Sequence, residues 1–115
     1  MNSIIENILT RRSIRTFRET QLSEEDLNTI LTAGSYAPNG MGTQSWKFTA
    51  IQKTSVLAKV NEAIRLTLIS IPVVAETHPY VVSLVEKAKD ESSNFLYHAP
   101  TFIIPELFIG FQKTP

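Results

Sequence analysis

A helix cannot run through Pro38-Asn39-Gly40-Met41-Gly42, because proline removes a helical donor and glycine gives up backbone order. Before it, Ser23-Glu24-Glu25-Asp26 has the form of a capping box, with a hydroxyl at the N-cap and acids in the first turn. Leu27, Ile30, Leu31 and Gly34 continue one helical face to about residue 37. After it, Trp46 to Ile51 alternates Trp46, Phe48 and Ala50 with the polar Lys47 and Thr49, which is the period of a strand. The loop therefore joins a helix to a strand, and the fold must contain both.

Residues 3–10 read as a short amphipathic helix with Ile4, Ile5, Ile8 and Leu9 on one face. Thr54 or Ser55 opens another, carrying Leu57, Val60, Ile64 and Leu68 at helical spacing. Pro72 and Pro79 bracket a segment that periodicity does not assign. Residues 82–90 are helical again and run into a polar loop at 90–94. Phe102-Ile103-Ile104 is a continuously apolar strand of the kind found in buried sheets. Pro105 is expected to interrupt it, leaving residues 105–115 as an aberrant tail. No repeat or linker divides residues 1–104, which are expected to form one unit.

Hydrophobic residues make up 43% of the 115 and charged ones 19%, a balance that suits a packed domain and not a disordered tail. Eleven basic residues match eleven acidic ones, so no overall field favours nucleic acid or a membrane surface. The absence of cysteine removes disulfides, thiolate catalysis and cysteine metal sites, and fits a reducing compartment. The N-terminus lacks a secretory pattern and no apolar run is long enough for a bilayer, so a cytoplasmic protein is expected. His78 and His98 have no ligand partner at useful spacing and are expected to be ordinary surface or core residues.

Chemistry is concentrated in Arg11-Arg12-Ser13-Ile14-Arg15-Thr16-Phe17, just after the first helix. Three guanidiniums and a hydroxyl within five residues match the acceptor geometry of one phosphate. If the segment is extended, Arg11, Ser13 and Arg15 share a face; if it stays helical, Arg11 and Arg15 still meet one turn apart. A solvated basic helix end, complementing the helix dipole, is the plainer reading of the same residues.

With the 37–48 loop following in order, the chain resembles the nitroreductase family of FMN-dependent oxidoreductases. The family pattern is R-R-S-x-R-x-[FY], a helix, then A-P-S-G-x-N-x-Q-P-W-x-F, and His98-Ala99-Pro100 also precedes an apolar strand in the family order. The resemblance implies an α+β fold, a three-layer α/β/α sandwich on a mostly antiparallel sheet, of which this chain is a truncated N-terminal half. It implies that Arg11, Arg12, Ser13 and Arg15 hold the FMN phosphate and ribityl chain. Pro38, Asn39 and Gly40 would lie against the flavin ring from the partner subunit of a homodimer. Gln44 and Trp46 would steady the loop's entry into the sheet, although a core aromatic is the plainer role for Trp46. NAD(P)H is the implied reductant, and a nitroaromatic or quinone-like small molecule the implied acceptor.

Asn39 and Ser45 stand where Ser and Pro are commoner in the family, and Gly42 where Asn is frequent. The second half of the family pattern has no counterpart. The alternative expectation is thus a truncated, catalytically inactive flavin- or phosphate-binding fragment.

Overall fold

The computed structural model describes residues 2–38 and 46–107. Four helices and two strands follow in the order α1 (Ser3–Thr10), α2 (Glu24–Ser35), β1 (Trp46–Ile51), α3 (Thr54–Ile69), α4 (Pro79–Ala88) and β2 (Phe102–Leu107). The strands pair antiparallel, in a register running from Trp46 opposite Leu107 to Ile51 opposite Phe102.

Helix starts obey local chemistry. The Asn2 side chain accepts from the Ile5 N–H at 3.0 Å, and Ser23 Oγ from the Asp26 N–H at 3.1 Å, each satisfying a donor the helix leaves unpaired. α4 opens three residues earlier than its apolar spacing indicates. Pro79, whose φ is pre-set for a helix, occupies the first turn, and His78 caps it by accepting from the Tyr80 N–H at 3.1 Å. The unassigned stretch before it turns on Thr77, whose Oγ1 accepts from the Val74 N–H at 2.9 Å while its own N–H donates to Val74 O.

β2 runs through Pro105 to Leu107, so the expected break at Pro105 is corrected: Pro105 stands opposite Phe48 inside the ladder. Among the described residues β2 has one partner strand, and proline is accommodated in such an edge strand where its missing N–H would face outward. Residues 108–115 lie outside the described residues.

The buried centre lies where α3 meets α4 and the loop after it. Val85, Ala88 and Leu96 are the buried apolar residues among those described. Beside them Arg65 is 9% exposed, donating to Glu62 through Nε and Nη2 and to the Ala88 carbonyl through Nη1 at 3.2 Å. That carbonyl belongs to the last turn of α4, which would otherwise lack a partner. Asn61 ties the 90–94 loop to α3, accepting from the Phe95 N–H at 2.7 Å and donating to Ser93 O at 2.9 Å. On the sheet side, α2 comes close to β1 where Gly34 faces the Phe48 ring. α1 buries nothing: Ile4, Ile5, Ile8 and Leu9 are all exposed. Among the described residues, no helix is long and apolar enough to cross a membrane.

Candidate functional site

α1 ends at Thr10 because Arg11 leaves helical backbone, with φ −55° and ψ 137°. Residues 11–23 then continue without helix or strand, which favours the extended reading of the arginine segment over the helical one. Arg12 folds back on the helix it follows. Its Nη1 donates to Arg11 O at 2.9 Å and lies 3.5 Å from Leu9 O, which serves carbonyls at the open C-terminus of α1. Arg11, Ser13 and Arg15 are exposed, and among the described residues their side chains form no hydrogen bond or ion pair. Among the described residues no carboxylate pairs with the Arg11 or Arg15 guanidinium, which leaves both facing solvent. Arg12 is thus partly engaged by backbone carbonyls.

Pro38 is exposed just beyond the end of α2, where the Ala37 N–H returns to Gly34 O at 3.1 Å. Asn39, Gly40, Gly42 and Gln44 lie outside the described residues, as does the Trp46 side chain, although the Trp46 backbone opens β1.

Downstream of the arginines the segment reaches a groove of about 680 Å³ between residues 17–26 and 95–102. Phe17, Leu22, Phe95, Leu96 and Phe102 supply apolar walls, with Arg18 and Asp26 also on the lining. A second hollow of about 450 Å³ shares Gln21, Leu96, Ala99 and Pro100 with the first, so these residues form the partition between the two. The far wall is shaped by an uncommon turn. Tyr97 and His98 both have φ of 55°, a left-handed conformation that L-residues avoid unless held there. Asn94 does the holding: its Oδ1 accepts from the Leu96 and His98 N–H groups, both at 3.0 Å, and its Nδ2 lies 3.3 Å from His98 Nδ1. Lys87 Nζ sits 4.9 Å from the Phe95 ring centre and 5.0 Å from that of Tyr97, within cation–π range of both.

Gln21 joins the arginine segment to the sheet. Its Oε1 accepts from the Leu22 N–H at 3.0 Å, from Gln52 Nε2 at 3.3 Å and from the Thr101 hydroxyl. Its Nε2 donates to Pro100 O at 2.7 Å, with Gln52 O at 3.5 Å. Sequence reasoning missed Gln21, Gln52, Thr101 and Asn94. The signal available for Asn94 was an Asn in a polar loop, a residue type that bonds its own backbone a few positions on.

A family model described as the nitroreductase family matches residues 8–114. A solved nitroreductase with bound FMN from Bacteroides fragilis superposes with a TM-score of 0.77 at 36% identity, covering 91% of this chain and 52% of that one. An FMN-dependent nitroreductase from Clostridium difficile R20291 superposes with a TM-score of 0.67 at 29% identity, covering 89% and 44%. A protein of Archaeoglobus fulgidus, provisionally named an NADH dehydrogenase/NAD(P)H nitroreductase, is 38% identical over 63 residues, 55% of this chain and 36% of the relative. The chain thus spans about half of those structures, and its aligned part about a third of that relative.

Proposed function

Because this chain belongs to the nitroreductase family and has its α+β fold, we propose that it binds FMN through the segment after α1 and serves the reduction of small electrophilic acceptors by NAD(P)H. The supporting observation is the exposed set of Arg11 and Arg15 with Ser13, whose side chains have no partner among the described residues, on a segment free of helix and strand. Two guanidinium forks and a hydroxyl suit a terminal phosphate dianion, so the donors present fit the group. Arg11, Ser13 and Arg15 would hold the phosphate, with Arg12 adding charge from its place at the end of α1. Pro38, Asn39 and Gly40 are proposed to lie along the ring, where small residues and a stiff proline permit close backbone approach. FMN when bound supplies the redox chemistry, and the protein's part is to bind and orient it and to leave room for donor and acceptor. The acceptor class proposed is nitroaromatic or quinone-like.

The exposed apolar face of α1 supports a homodimer, in which Ile4, Ile5, Ile8 and Leu9 meet a second copy. A second reading is favoured by the small buried centre of the described residues: flavin phosphate binding without turnover by this chain alone. Titration of the purified chain with FMN, followed by NADH and NADPH oxidation in the presence of a nitroaromatic, tests both. Binding with turnover supports the first and binding without turnover the second. A chain that stays colourless and retains no FMN overturns both.

A further inference from the structure

We propose that Gln21, with Gln52 and Thr101, is the positioning device for the arginine segment, setting where Arg11 and Arg15 stand relative to the sheet. The inference rests on the reading of those arginines as a phosphate anchor.

Residues 11–20 have little else to place them. Among the described residues, their hydrogen bonds are the local ones of Arg12. α1, on the other side, buries no side chain against the described residues of its own chain. The segment is first tied to the rest of the molecule at Gln21, through partners 31 and 79 residues away in sequence.

Those partners close the sheet. The ladder ends at Ile51 opposite Phe102, and one step beyond it Gln52 Nε2 donates to Thr101 Oγ1 at 3.0 Å, so side chains continue the pairing. Gln21 inserts its amide into this rung. Its oxygen faces three donors and its nitrogen the Pro100 carbonyl, which leaves the amide one orientation. The Thr101 hydroxyl is used twice, donating to Gln21 and accepting from Gln52. A network in which every member is satisfied holds its geometry, and removing one member lets its partners turn to water and take other orientations. The arginine segment is thereby registered against the ends of both strands.

The test compares affinities for FMN and for riboflavin, which lacks the phosphate, in the full chain. The wild type is expected to prefer FMN, and Arg11→Ala/Arg15→Ala to lose that preference. Gln21→Ala is expected to lower the FMN-to-riboflavin affinity ratio about tenfold, the size of one charge-assisted bond, while riboflavin affinity stays within about twofold. A role confined to general stability would weaken both ligands together and leave the ratio unchanged, and that result overturns the proposal. Thr101→Val removes two bonds of the network with little change of shape. It is expected to lower the ratio in the same direction, and it carries the test if Gln21→Ala fails to fold. Preference lost in the arginine variant but kept in the Gln21 and Thr101 variants overturns the positioning role alone. A wild type that does not distinguish the two ligands overturns the phosphate anchor, and this proposal with it.

Discussion

The Phe48 ring lies against the backbone of Gly34: a Cβ placed on that glycine would stand 3.1 Å from Phe48 Cζ and 3.4 Å from Cε1. This approach brings α2 onto β1. Alanine at position 34 would gain about 1 kcal/mol of helix propensity but require the ring to move by a few tenths of an ångström, so a small net effect is expected. Gly34→Val has no such room and should cost about 1–3 kcal/mol, as overpacking does. Urea unfolding followed by circular dichroism measures it. Adding Phe48→Ala to Gly34→Val should recover part of the loss, and two independent, additive losses would refute the contact.

Arg11→Ala/Arg15→Ala should raise the FMN dissociation constant about ten- to hundredfold, since hydrogen bonds to a charged group contribute about 1.5–3 kcal/mol. Neither arginine side chain bonds another described residue, so the melting temperature should stay near that of the wild type. Fluorescence titration and thermal melts separate the two effects. Unchanged FMN affinity would remove both residues from the site.

Acid sensitivity should arise from carboxylates held ionised. The Arg65 side chain, bonded to Glu62 at 2.7 and 2.9 Å, keeps the Glu62 carboxyl below its ordinary value. The Ser92 hydroxyl, and after it the Ser92 N–H, do the same for Asp90. A carboxylate whose folded pKa is depressed takes up its proton first in the unfolded chain. Its stabilisation is therefore complete above the ordinary carboxylate range, about pH 4, and drains away as pH falls through that range to the folded value. Melting temperatures measured from pH 7 down to pH 3 should fall less steeply in Glu62→Gln and Asp90→Asn than in the wild type. An unchanged acid limb would count against both.

His78→Ala should cost about 1 kcal/mol, because it removes the acceptor for the Tyr80 N–H at the start of α4. His78→Asp restores an acceptor and places a negative charge at the helix N-terminus, so it should match or exceed the wild type at neutral pH. Chemical denaturation of the two variants side by side provides the check.

Ile4→Glu/Ile8→Glu should convert a self-associating chain to a monomer without lowering its helix content, since neither side chain is buried within the protomer. Sedimentation velocity over a range of concentrations reads the change. A wild type that stays monomeric throughout would remove α1 from any interface between copies.

Local rules made most elements legible. α1 and β1 span the residues their periodicity marks, and Ser23 caps α2 through the Asp26 N–H as the capping-box pattern implies. α4 starts before its apolar spacing does, because Pro79 stands in the first turn, where a proline is tolerated and no apolar period marks it. β2 outlasts Pro105 because strand pairing to β1 decides its length, and that pairing spans more than fifty residues of sequence. The arginine segment could be read because its chemistry is contiguous. Gln21, Gln52 and Thr101 could not, since their meaning appears only when three distant polar side chains arrive at one end of the ladder.

That ladder also limits how this part of the chain can evolve. Its register runs without interruption from 46 opposite 107 to 51 opposite 102, and the amide network closes it at the 52–101 rung. Side chains alternate faces along a strand, so inserting one residue into β1 or β2 would turn every residue beyond it to the wrong side. A single insertion would need a bulge to absorb it, and Gln52 meets Thr101 only while the register between the strands is kept. The connections between α3 and α4 and between α4 and β2 face no such register constraint. The two strands and the rung that closes them thus behave as one unit, whose length is set jointly by both.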